Sequence, residues 1–302
     1  MCRRKTSRSG FTLIELSIVL VIIGLIVGGV LVGRELINAA AVRGTLAQIE
    51  KYQQAVATFK GKYGYLPGDI PDPTASSFGF LARGTNPGQG DGNGIIEGLG
   101  GVISTVTSVS SLTGETGAVW VDLYTALLIP FKSNNTPLRI AISASNATLK
   151  NWMPEAAIGR GNYIYVDGAF PHSGGTMPGQ PGNYFGLSGV LSVGTSLSWE
   201  MHNSTKLTVR EAYSMDSKID DGLPQSGSVQ TFYNDANINT NDSGYSSGDG
   251  SAYAVNPGSA LAASQYTCGD NGGVASNPQK YSLAQNSGAG LNCSLHFKLG
   301  VQ

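Results

Sequence analysis

Two hydrophobic patterns follow one another in the N-terminal part of the chain. Residues 11–33 are apolar on every side of a helix and contain one charged residue, Glu15. As a helix this run would be roughly 35 Å long at about 1.5 Å per residue, enough to cross the core of a bilayer. Residues 34–64 place apolar side chains at steps of three or four, which is typical of a helix with one buried face. Together the patterns predict one long helix that ends before Gly64, with a membrane half and an amphipathic half.

The buried face of the amphipathic half is predicted to be narrow. Only Gln53 interrupts its apolar stripe, and charged and amide side chains occupy the opposite side. This half of the helix is therefore predicted to be the spine of a folded head. The predicted stripe consists of Val42, Leu46, Ile49, Gln53, Val56, Phe59 and Tyr63.

Residues 65–302 are predicted to form an α+β head, in which the spine helix packs on a small antiparallel sheet with long loops. Glycine, proline and polar turn residues separate its short helical and alternating segments. One helix is predicted at residues 119–129, stopped by Pro130, and a second at 205–219. The first helix is predicted to bury Trp120, Leu123, Tyr124, Leu127 and Leu128. Strands are predicted at residues 162–167, 184–191, 281–283 and 295–299.

Basic residues are concentrated immediately before the apolar run. Residues 1–10 contain four of them, Arg3, Arg4, Lys5 and Arg8, and no acid. Because basic flanks of membrane helices remain in the cytoplasm, the chain after residue 33 is predicted to lie outside it. Without residues 1–10 the net charge changes from −1 to −5, through loss of the four basic residues. A mildly acidic chain has no electrostatic footprint for nucleic acid, so no nucleic-acid partner is indicated.

Glu15 is the one charge inside the predicted membrane helix. A carboxylate at such a position costs roughly 2.5–3.5 kcal/mol on insertion scales, so it is expected to have a partner. The nearest candidate is a positive charge at the same depth on another copy of this helix.

The stretch Gly10-Phe11-Thr12-Leu13-Ile14-Glu15 resembles the processing signal of type IV pilins and of type II secretion pseudopilins. The resemblance covers about residues 1–65 and is loose beyond them. It implies that a prepilin peptidase removes residues 1–10 as a leader by cleavage between Gly10 and Phe11. It also implies that the new amino terminus on Phe11 is N-methylated. Glu15 would then neutralise the terminal ammonium of a neighbouring subunit.

The resemblance also implies partners, a location and a function. The partners are the prepilin peptidase, copies of the chain and other pilin-like subunits in a helical filament, and an inner-membrane assembly platform. The location is the bacterial inner membrane, with a cytoplasmic leader and a periplasmic head, and then a periplasmic or cell-surface filament. The function is that of a structural subunit of a type II secretion pseudopilus or a type IV pilus. The alternative is a minor pilin that acts as a surface adhesin or binding module at the filament tip.

Other classes of protein fit the sequence less well. A secretory signal peptide also has basic residues before an apolar core, but that core spans about 7–15 residues and is followed by the cleavage site. Here the glycine precedes a longer run. The three histidines, His172, His202 and His296, are scattered, and no nucleophile elbow or phosphate-binding loop is present. The chain is therefore not predicted to be an enzyme.

Cys268 and Cys293 are the cysteines outside the leader, which contains Cys2. Outside the inner membrane such a pair can persist as a disulfide, and two free thiols are the alternative. Closing a loop of this size would add roughly 3–4 kcal/mol of stability in the chain-entropy model. A C-terminal disulfide loop is common in the type IV pilins that the chain resembles.

Two oxygen-rich segments are candidates for calcium binding. Asp91, Asn93 and Glu97 lie in a glycine-rich stretch that resembles the middle of a calcium loop, but the first carboxylate and the terminal bidentate glutamate of such loops are missing. Asp216, Asp220 and Asp221 follow one another at the end of the predicted second helix, where acids face the negative end of the helix dipole. Polar turns held by side-chain hydrogen bonds are the alternative in both segments.

Overall fold

The computed structural model of the chain describes residues 12–85, 88–96, 114–135, 144–145, 148–169, 182–193, 201–204, 206–231, 268–274, 276–284 and 286–300. The chain divides into two compact units, Met1–Ala41 and Val42–Gln302. The described elements combine helices with antiparallel strands, which confirms the predicted α+β class.

Helix α1 extends without interruption from Leu13 to Tyr63, and it confirms the predicted long N-terminal helix. Its apolar half is exposed at every residue from 13 to 32. By length and composition, α1 is the one helix in the described part of the chain that could cross a membrane. An apolar surface of this size is unfavourable in water, so this half of α1 requires lipid or other protein around it.

Burial in α1 begins at Val42, while residues 34–40 are exposed. The buried face is wider than the predicted stripe, because Thr45, Tyr52 and Ala55 are buried as well. Gln53 is half-buried and donates from its amide Nε2 to the carbonyl of Lys298 at 3.3 Å. The polar interruption of the stripe is thus a hydrogen bond between α1 and the C-terminal strand.

The remaining elements follow α1 in a fixed order. The helices are α2 (Thr74–Ser77), α3 (Gly114–Thr125) and α4 (Val209–Ile219). The strands are β1 (Ala144–Ser145), β2 (Asn162–Ala169), β3 (Gly182–Val193), β4 (Met201–Ser204), β5 (Val229–Gln230), β6 (Gly269–Asp270), β7 (Lys280–Tyr281) and β8 (Leu295–Lys298). Short 3₁₀ turns lie at Leu149–Asn151 and Asn286–Gly288.

The main sheet is built around β3, the longest described strand. On one side β3 pairs antiparallel with β2, from Asn162 opposite Gly189 to Ala169 opposite Gly182, and then with β1. On its other side β3 pairs with β8 and, beyond it, with β4. Strand β5 adds to the outer edge of β8, while β6 and β7 form a separate two-stranded sheet. The last described strand, β8, therefore lies inside the sheet, between β3 and β5.

The predicted first helix differs from α3 at both ends. α3 begins at Gly114, five residues before the predicted start. Its first turn contains the buried Glu115, and an apolar pattern does not predict burial of a glutamate. It ends at Thr125 in a turn where Leu127 has a φ of 62°, so the predicted continuation to residue 129 is wrong. Leu127 was predicted to be buried and is 87% exposed.

The other predicted elements are present with shifted ends. α4 starts at Val209, because the preceding Thr208 has extended backbone angles and acts as the helix cap. The strands predicted at 162–167 and 184–191 are confirmed as β2 and β3, each longer than predicted. The closing strand predicted at 295–299 is confirmed as β8, at Leu295–Lys298. The strand predicted at 281–283 shares only Tyr281 with β7, at Lys280–Tyr281, and residues 282 and 283 lie outside it.

The main core lies between the buried face of α1 and one face of the sheet. Alternate residues of β2, β3 and β8 point to this face, as expected for extended strands. Trp120 of α3 is fully buried there, with its ring centroid 5.1 Å from that of Tyr52 and 5.9 Å from that of Phe185. The strand residues in this core are Ile164, Val166, Phe185, Leu187, Leu295 and Phe297. A smaller cluster on the opposite face contains Leu149, Met153, Tyr163, Tyr165 and Val190.

Candidate functional site

The start of α1 carries a reciprocal set of hydrogen bonds between Thr12 and Glu15. The backbone N–H and the hydroxyl of Thr12 both donate to Glu15 Oε2, each at 2.8 Å. The backbone N–H of Glu15 donates to Thr12 Oγ1 at 3.3 Å, and the Thr12 carbonyl accepts from the N–H of Leu16. Thr12 is therefore the N-cap of α1, and the two residues form a capping box. The box satisfies N–H groups that have no acceptor within the helix.

No described basic side chain forms an ion pair with Glu15. The two ion pairs in the described residues join Arg83 to Asp122 and Arg160 to Glu211. Glu15 is exposed, and it is the one charged residue in the apolar half of the helix. Gly10 and Phe11, where cleavage and methylation are predicted, lie outside the described residues. The pairing of Glu15 with a neighbouring subunit stays a prediction.

The capping role of Thr12 was missed by the sequence analysis. The signal was present, because Thr12-Leu-Ile-Glu15 has the spacing of a capping box, a threonine followed three residues later by a glutamate. A carboxylate at this position can accept hydrogen bonds from the start of its own helix, whether or not its charge has a partner.

A second capping box begins α4 in the head. The N–H of Glu211 donates to Thr208 Oγ1 at 3.1 Å, and the N–H of Thr208 donates to Glu211 Oε2 at 2.9 Å. The same oxygen, Glu211 Oε2, accepts from Arg160 Nη2 at 2.6 Å. One carboxylate oxygen thus caps its helix and binds a cation at the same time.

The first candidate calcium segment is a turn held by two carboxylates from elsewhere in the head. Asp69 accepts from the N–H of Gly92 at 2.8 Å and of Gly94 at 2.9 Å. Glu115 accepts from the N–H of Gly90 at 2.8 Å. Gly90 has a φ of 91°, and a Cβ there would lie 2.5 Å from the carbonyl oxygen of Ile70, so only glycine fits.

Two of the predicted calcium ligands of this segment, Asp91 and Asn93, accept hydrogen bonds from backbone N–H groups two residues further along the chain. Asp91 Oδ1 accepts from the N–H of Asn93 at 3.1 Å, and Asn93 Oδ1 accepts from that of Ile95 at 2.7 Å. Glu97 lies outside the described residues. The carboxylates of Asp69, Asp91 and Glu115 instead lie together, with one oxygen of each within 4.8 Å of the others.

The pKa of Asp69 in this group is shifted by its surroundings. Burial raises the pKa of Asp69 to about 6, and the charge of Asp91 adds to the rise, while the amide hydrogen bonds oppose it. Sequence reasoning missed Asp69 and Glu115 as members, because they approach residues 90–94 only through the tertiary fold.

The second candidate segment follows α4, and its three carboxylates also hold turns. Asp216 accepts from the N–H of Gly222 at 3.1 Å and from the hydroxyl of Tyr281 at 2.7 Å. Asp220 accepts from the N–H groups of residues 228 and 229. Asp221 accepts from the N–H of Leu223 at 2.8 Å. One oxygen of each of the three aspartates lies within 4.8 Å of the others.

Burial also determines the ionisation of this second group. It raises the pKa of Asp216 to about 6, with the Tyr281 hydrogen bond opposing the rise and the charges of Asp220 and Asp221 adding to it. Burial and the adjacent Asp216 raise the pKa of Tyr281 well above its ordinary value. At neutral pH the Tyr281 hydroxyl therefore remains protonated and able to donate to Asp216.

A disulfide joins Cys268 to Cys293, as predicted, with their Cα atoms 5.2 Å apart. Cys293 forms an antiparallel bridge with Leu207, just before α4, and the Cys268 carbonyl accepts from the N–H of Ser282 at 2.9 Å. The disulfide encloses Tyr281, which contacts the end of α4 through Asp216. The segment that the disulfide closes thus contacts α4 near both of its ends, through Leu207 and through Asp216.

Calcium binding stays a prediction for both carboxylate groups. Three carboxylates are a suitable donor set for calcium, and those of both groups also accept hydrogen bonds from their own chain. Within the described residues these are the two clusters of side chains with metal-binding chemistry. His296 is fully buried beside Tyr165, with ring centroids 5.8 Å apart, and belongs to neither cluster.

One buried ion pair in the head had no signal in the sequence. Arg83 Nη2 donates to Asp122 Oδ2 at 2.5 Å, and both side chains are fully buried. The same Asp122 oxygen accepts from the N–H of Gly68 at 2.7 Å, and Arg83 Nε donates to the Ile70 carbonyl. The pair therefore joins α3 to the segment that follows α1.

The comparison with known proteins identifies the N-terminal segment. Residues 5–31 match a model of the prokaryotic N-terminal methylation motif. This motif is the signature of prepilin-type cleavage in type IV pilins and pseudopilins, and it confirms the resemblance noted from the sequence. It implies processing by a prepilin peptidase and assembly into a filament with other pilin subunits. No curated protein and no solved structure matches the chain.

Proposed function

We propose that this protein is a structural subunit of a bacterial filament, either a type II secretion pseudopilus or a type IV pilus. Residues 11–33 would anchor the subunit in the inner membrane and afterwards pack against the same segment of other subunits. Residues 65–302 would form the head in the periplasm, with residues 34–64 as its spine.

The observation that carries this proposal concerns Glu15, which lies on an exposed apolar helix and has no cation partner among the described residues. Glu15 lies within the N-terminal methylation motif, and no described residue forms an ion pair with it. After cleavage between Gly10 and Phe11, every processed subunit would carry a positive amino terminus on Phe11. Glu15 would then be the fifth residue of the processed chain. Pairing that ammonium with Glu15 of a neighbouring subunit would neutralise both charges, because opposite charges in a medium of low dielectric attract strongly.

Processing provides the first test. Mass spectrometry of the protein from membranes is expected to find a mature chain that begins at N-methylated Phe11. A variant with Gly10→Val should retain its leader, because a peptidase that requires glycine before the cut would no longer cleave. An intact Met1 in the wild-type filament fraction, or cleavage beyond residue 33, would contradict the proposal.

Assembly provides the second test. Glu15→Ala is expected to leave the head folded, with its disulfide formed, and to abolish recovery of the subunit in sheared or pelleted filaments. Glu35→Ala is the matched control, because Glu35 is an exposed acid on the same helix beyond the apolar run. Normal filament yield from Glu15→Ala would be evidence against charge pairing between subunits.

The position of the subunit in the filament distinguishes the remaining alternatives. Labelled heads along the whole length are expected for a major subunit, whereas labels at one end would identify a minor subunit at the tip. A tip location would support the alternative function of adhesion or binding. Deletion of the gene separates the two systems, since a pseudopilus is required for export of folded proteins and a pilus for surface fibres.

A further inference from the structure

We propose that Asn93 is a site of self-catalysed deamidation, in which the backbone nitrogen of Gly94 attacks the side-chain amide of Asn93. The inference goes beyond the proposed function and does not depend on it, because it concerns only the turn at residues 90–94 of the head. An asparagine followed by glycine is especially open to this reaction, since glycine has no side chain to hinder attack by its nitrogen. The chain contains two such pairs, Asn93-Gly94 and Asn271-Gly272.

The Gly94 nitrogen, which is the nucleophile of this reaction, is held by the carboxylate of Asp69. The N–H of Gly94 donates to Asp69 Oδ2 at 2.9 Å, and the N–H of Gly92 donates to Asp69 Oδ1 at 2.8 Å, so both carboxylate oxygens are fixed. A carboxylate in this position can take up the amide proton as the attack proceeds, which is general base catalysis. The N–H bond lies in the peptide plane, whereas the attack uses electrons perpendicular to that plane. The hydrogen bond to Asp69 therefore does not block the attack.

The side chain of Asn93 is held over the backbone that follows it. Asn93 Oδ1 accepts from the N–H of Ile95 at 2.7 Å. This hydrogen bond closes a ring of atoms that contains both Asn93 Cγ and the Gly94 nitrogen, and it keeps the two reacting atoms near each other. The same N–H would stabilise the negative charge that develops on Oδ1 during the attack. Nucleophile, base and carbonyl are thus ordered before the reaction, which lowers its entropic cost.

Access to the turn separates Asn93 from the other asparagine that precedes glycine. Asn93 is exposed, so water can reach it, and a Cβ built on Gly94 would meet no described atom within 4 Å. Asn271 is only 5% exposed, although the N–H of Gly272 also donates to a carboxylate, Asp270 Oδ1, at 2.8 Å. Because burial restricts both water and rearrangement of the side chain, Asn271 is expected to react much more slowly. It provides a comparison within the same molecule.

The reaction balances with water as its one co-reactant. A bond forms between the Gly94 nitrogen and Asn93 Cγ, the bond from Cγ to Nδ2 breaks, and the proton that Asp69 accepted leaves with Nδ2 as ammonia. Water then opens the cyclic imide at either carbonyl and gives aspartate or isoaspartate. Either product adds a negative charge to the turn that Asp69 and Glu115 hold. Isoaspartate also lengthens the backbone of this turn, so it would disturb these hydrogen bonds.

The test follows residue 93 in the detergent-solubilised full chain during incubation at neutral pH. Peptide mapping by mass spectrometry detects the mass increase that replacement of the amide by an acid produces, and fragmentation of the peptide distinguishes isoaspartate from aspartate. Conversion of Asn93 is expected to be about tenfold faster in the folded protein than in the same chain unfolded in guanidinium, less than the roughly 10²-fold or more that a positioned base contributes in enzymes. Asn271 is expected to remain asparagine in the folded sample.

Asp69→Asn is the variant that isolates the base. It retains the shape of the side chain and removes the carboxylate, so conversion in the folded variant should fall to the rate of the unfolded chain. Should this variant fail to fold, the wild-type comparison still decides, because it needs no substitution. The inference is overturned if Asn93 reacts more slowly in the folded protein than in the unfolded one. An unchanged folded rate in Asp69→Asn, or equal conversion of Asn271 and Asn93 in the folded wild type, would overturn it as well.

Discussion

The two capping boxes of this protein have nearly the same internal geometry and different electrostatic surroundings. The N–H to carboxylate distance is 2.8 Å at Thr12–Glu15 and 2.9 Å at Thr208–Glu211. Glu211 has Arg160 as a cation partner within its own chain. Glu15 has no such partner in the part of the chain that the structure describes. The same local arrangement thus has a cation partner at Glu211, whereas no cation partner of Glu15 lies among the described residues.

The difference extends to the other buried charges of the head. Asp122 is paired with Arg83, and the carboxylates of Asp69 and Asp216 are held by hydrogen bonds from the same unit. A unit whose charges are satisfied internally can fold alone, whereas an acid on an apolar surface requires a partner from outside. Under the proposed function, the contrast separates residues that serve folding from Glu15, for which a role in assembly is proposed.

The largest effect on this contrast is expected at the buried ion pair of the head. Asp122→Ala leaves the Arg83 guanidinium buried without its counter-charge and should lower the free energy of unfolding by about 3–5 kcal/mol. Urea unfolding of the detergent-solubilised full chain, followed by fluorescence of the buried Trp120, measures the change. The double variant Arg83→Met with Asp122→Leu is the control, and it should recover much of the loss. Equal stability of Asp122→Ala and the wild type would show that the pair contributes nothing to the head.

A pH dependence of intermediate size is expected from Asp69 and Asp216. Both carboxyls have a folded-state pKa of about 6, above their ordinary value of 3.8. Between about pH 4 and 6 the folded head then binds more protons than the unfolded chain, so their contribution to stability falls as the pH rises through this window. Urea midpoints should therefore be higher at pH 5 than at pH 7.5. Asp69→Asn and Asp216→Asn should each flatten this dependence, and an unchanged slope in both variants would contradict it.

Calcium would bind the groups that contain Asp69 and Asp216, so its addition provides a second test of the same urea midpoints. If either acidic group binds calcium, millimolar calcium at pH 7.5 should raise the urea midpoint, because a ligand of the folded state stabilises it. It should also reduce the difference between pH 5 and pH 7.5, since the cation replaces the protons. Magnesium at the same concentration is the control for ionic strength. Identical midpoints with and without calcium would count against the calcium prediction.

The smallest effect is expected when the Thr208–Glu211 capping box loses its cation partner and so resembles the Thr12–Glu15 box. Arg160→Ala removes the cation from Glu211 and leaves its capping bonds in place. Since the Arg160 side chain is 37% exposed, the loss should be only about 0.5–1 kcal/mol. Filament incorporation per folded subunit should stay unchanged. A large loss of incorporation would show that the two boxes do not have separate roles.

Long regular patterns made part of the fold predictable. α1 was predicted because its apolar run and its amphipathic stripe are continuous over about 50 residues, in agreement with the 51 residues found. The strands β2 and β3 were recognised from extended apolar and aromatic runs. α3 was misplaced because its first turn contains Gly114 and the buried Glu115, which look like loop residues in a sequence.

The functional sites were predictable to different degrees. The methylation motif is a contiguous sequence and was recognised directly, and the disulfide followed from the pair of cysteines. The meeting of Asp69 with Glu115 and of Arg83 with Asp122 depends on segments 46 and 39 residues apart, by their numbering, and no local pattern encodes such approaches. Thr12 was within reach of sequence reasoning, because its capping-box spacing is local.

The interior place of β8 in the sheet imposes an order on biogenesis. α1 is synthesised before every strand of the sheet, and the gap between β3 and β5 stays open until residues 295–298 have been made. Loss of residues 295–298 alone would remove that middle strand. A chain that stalls before residue 295 would therefore expose an open β edge, which cellular proteases and chaperones would be expected to recognise.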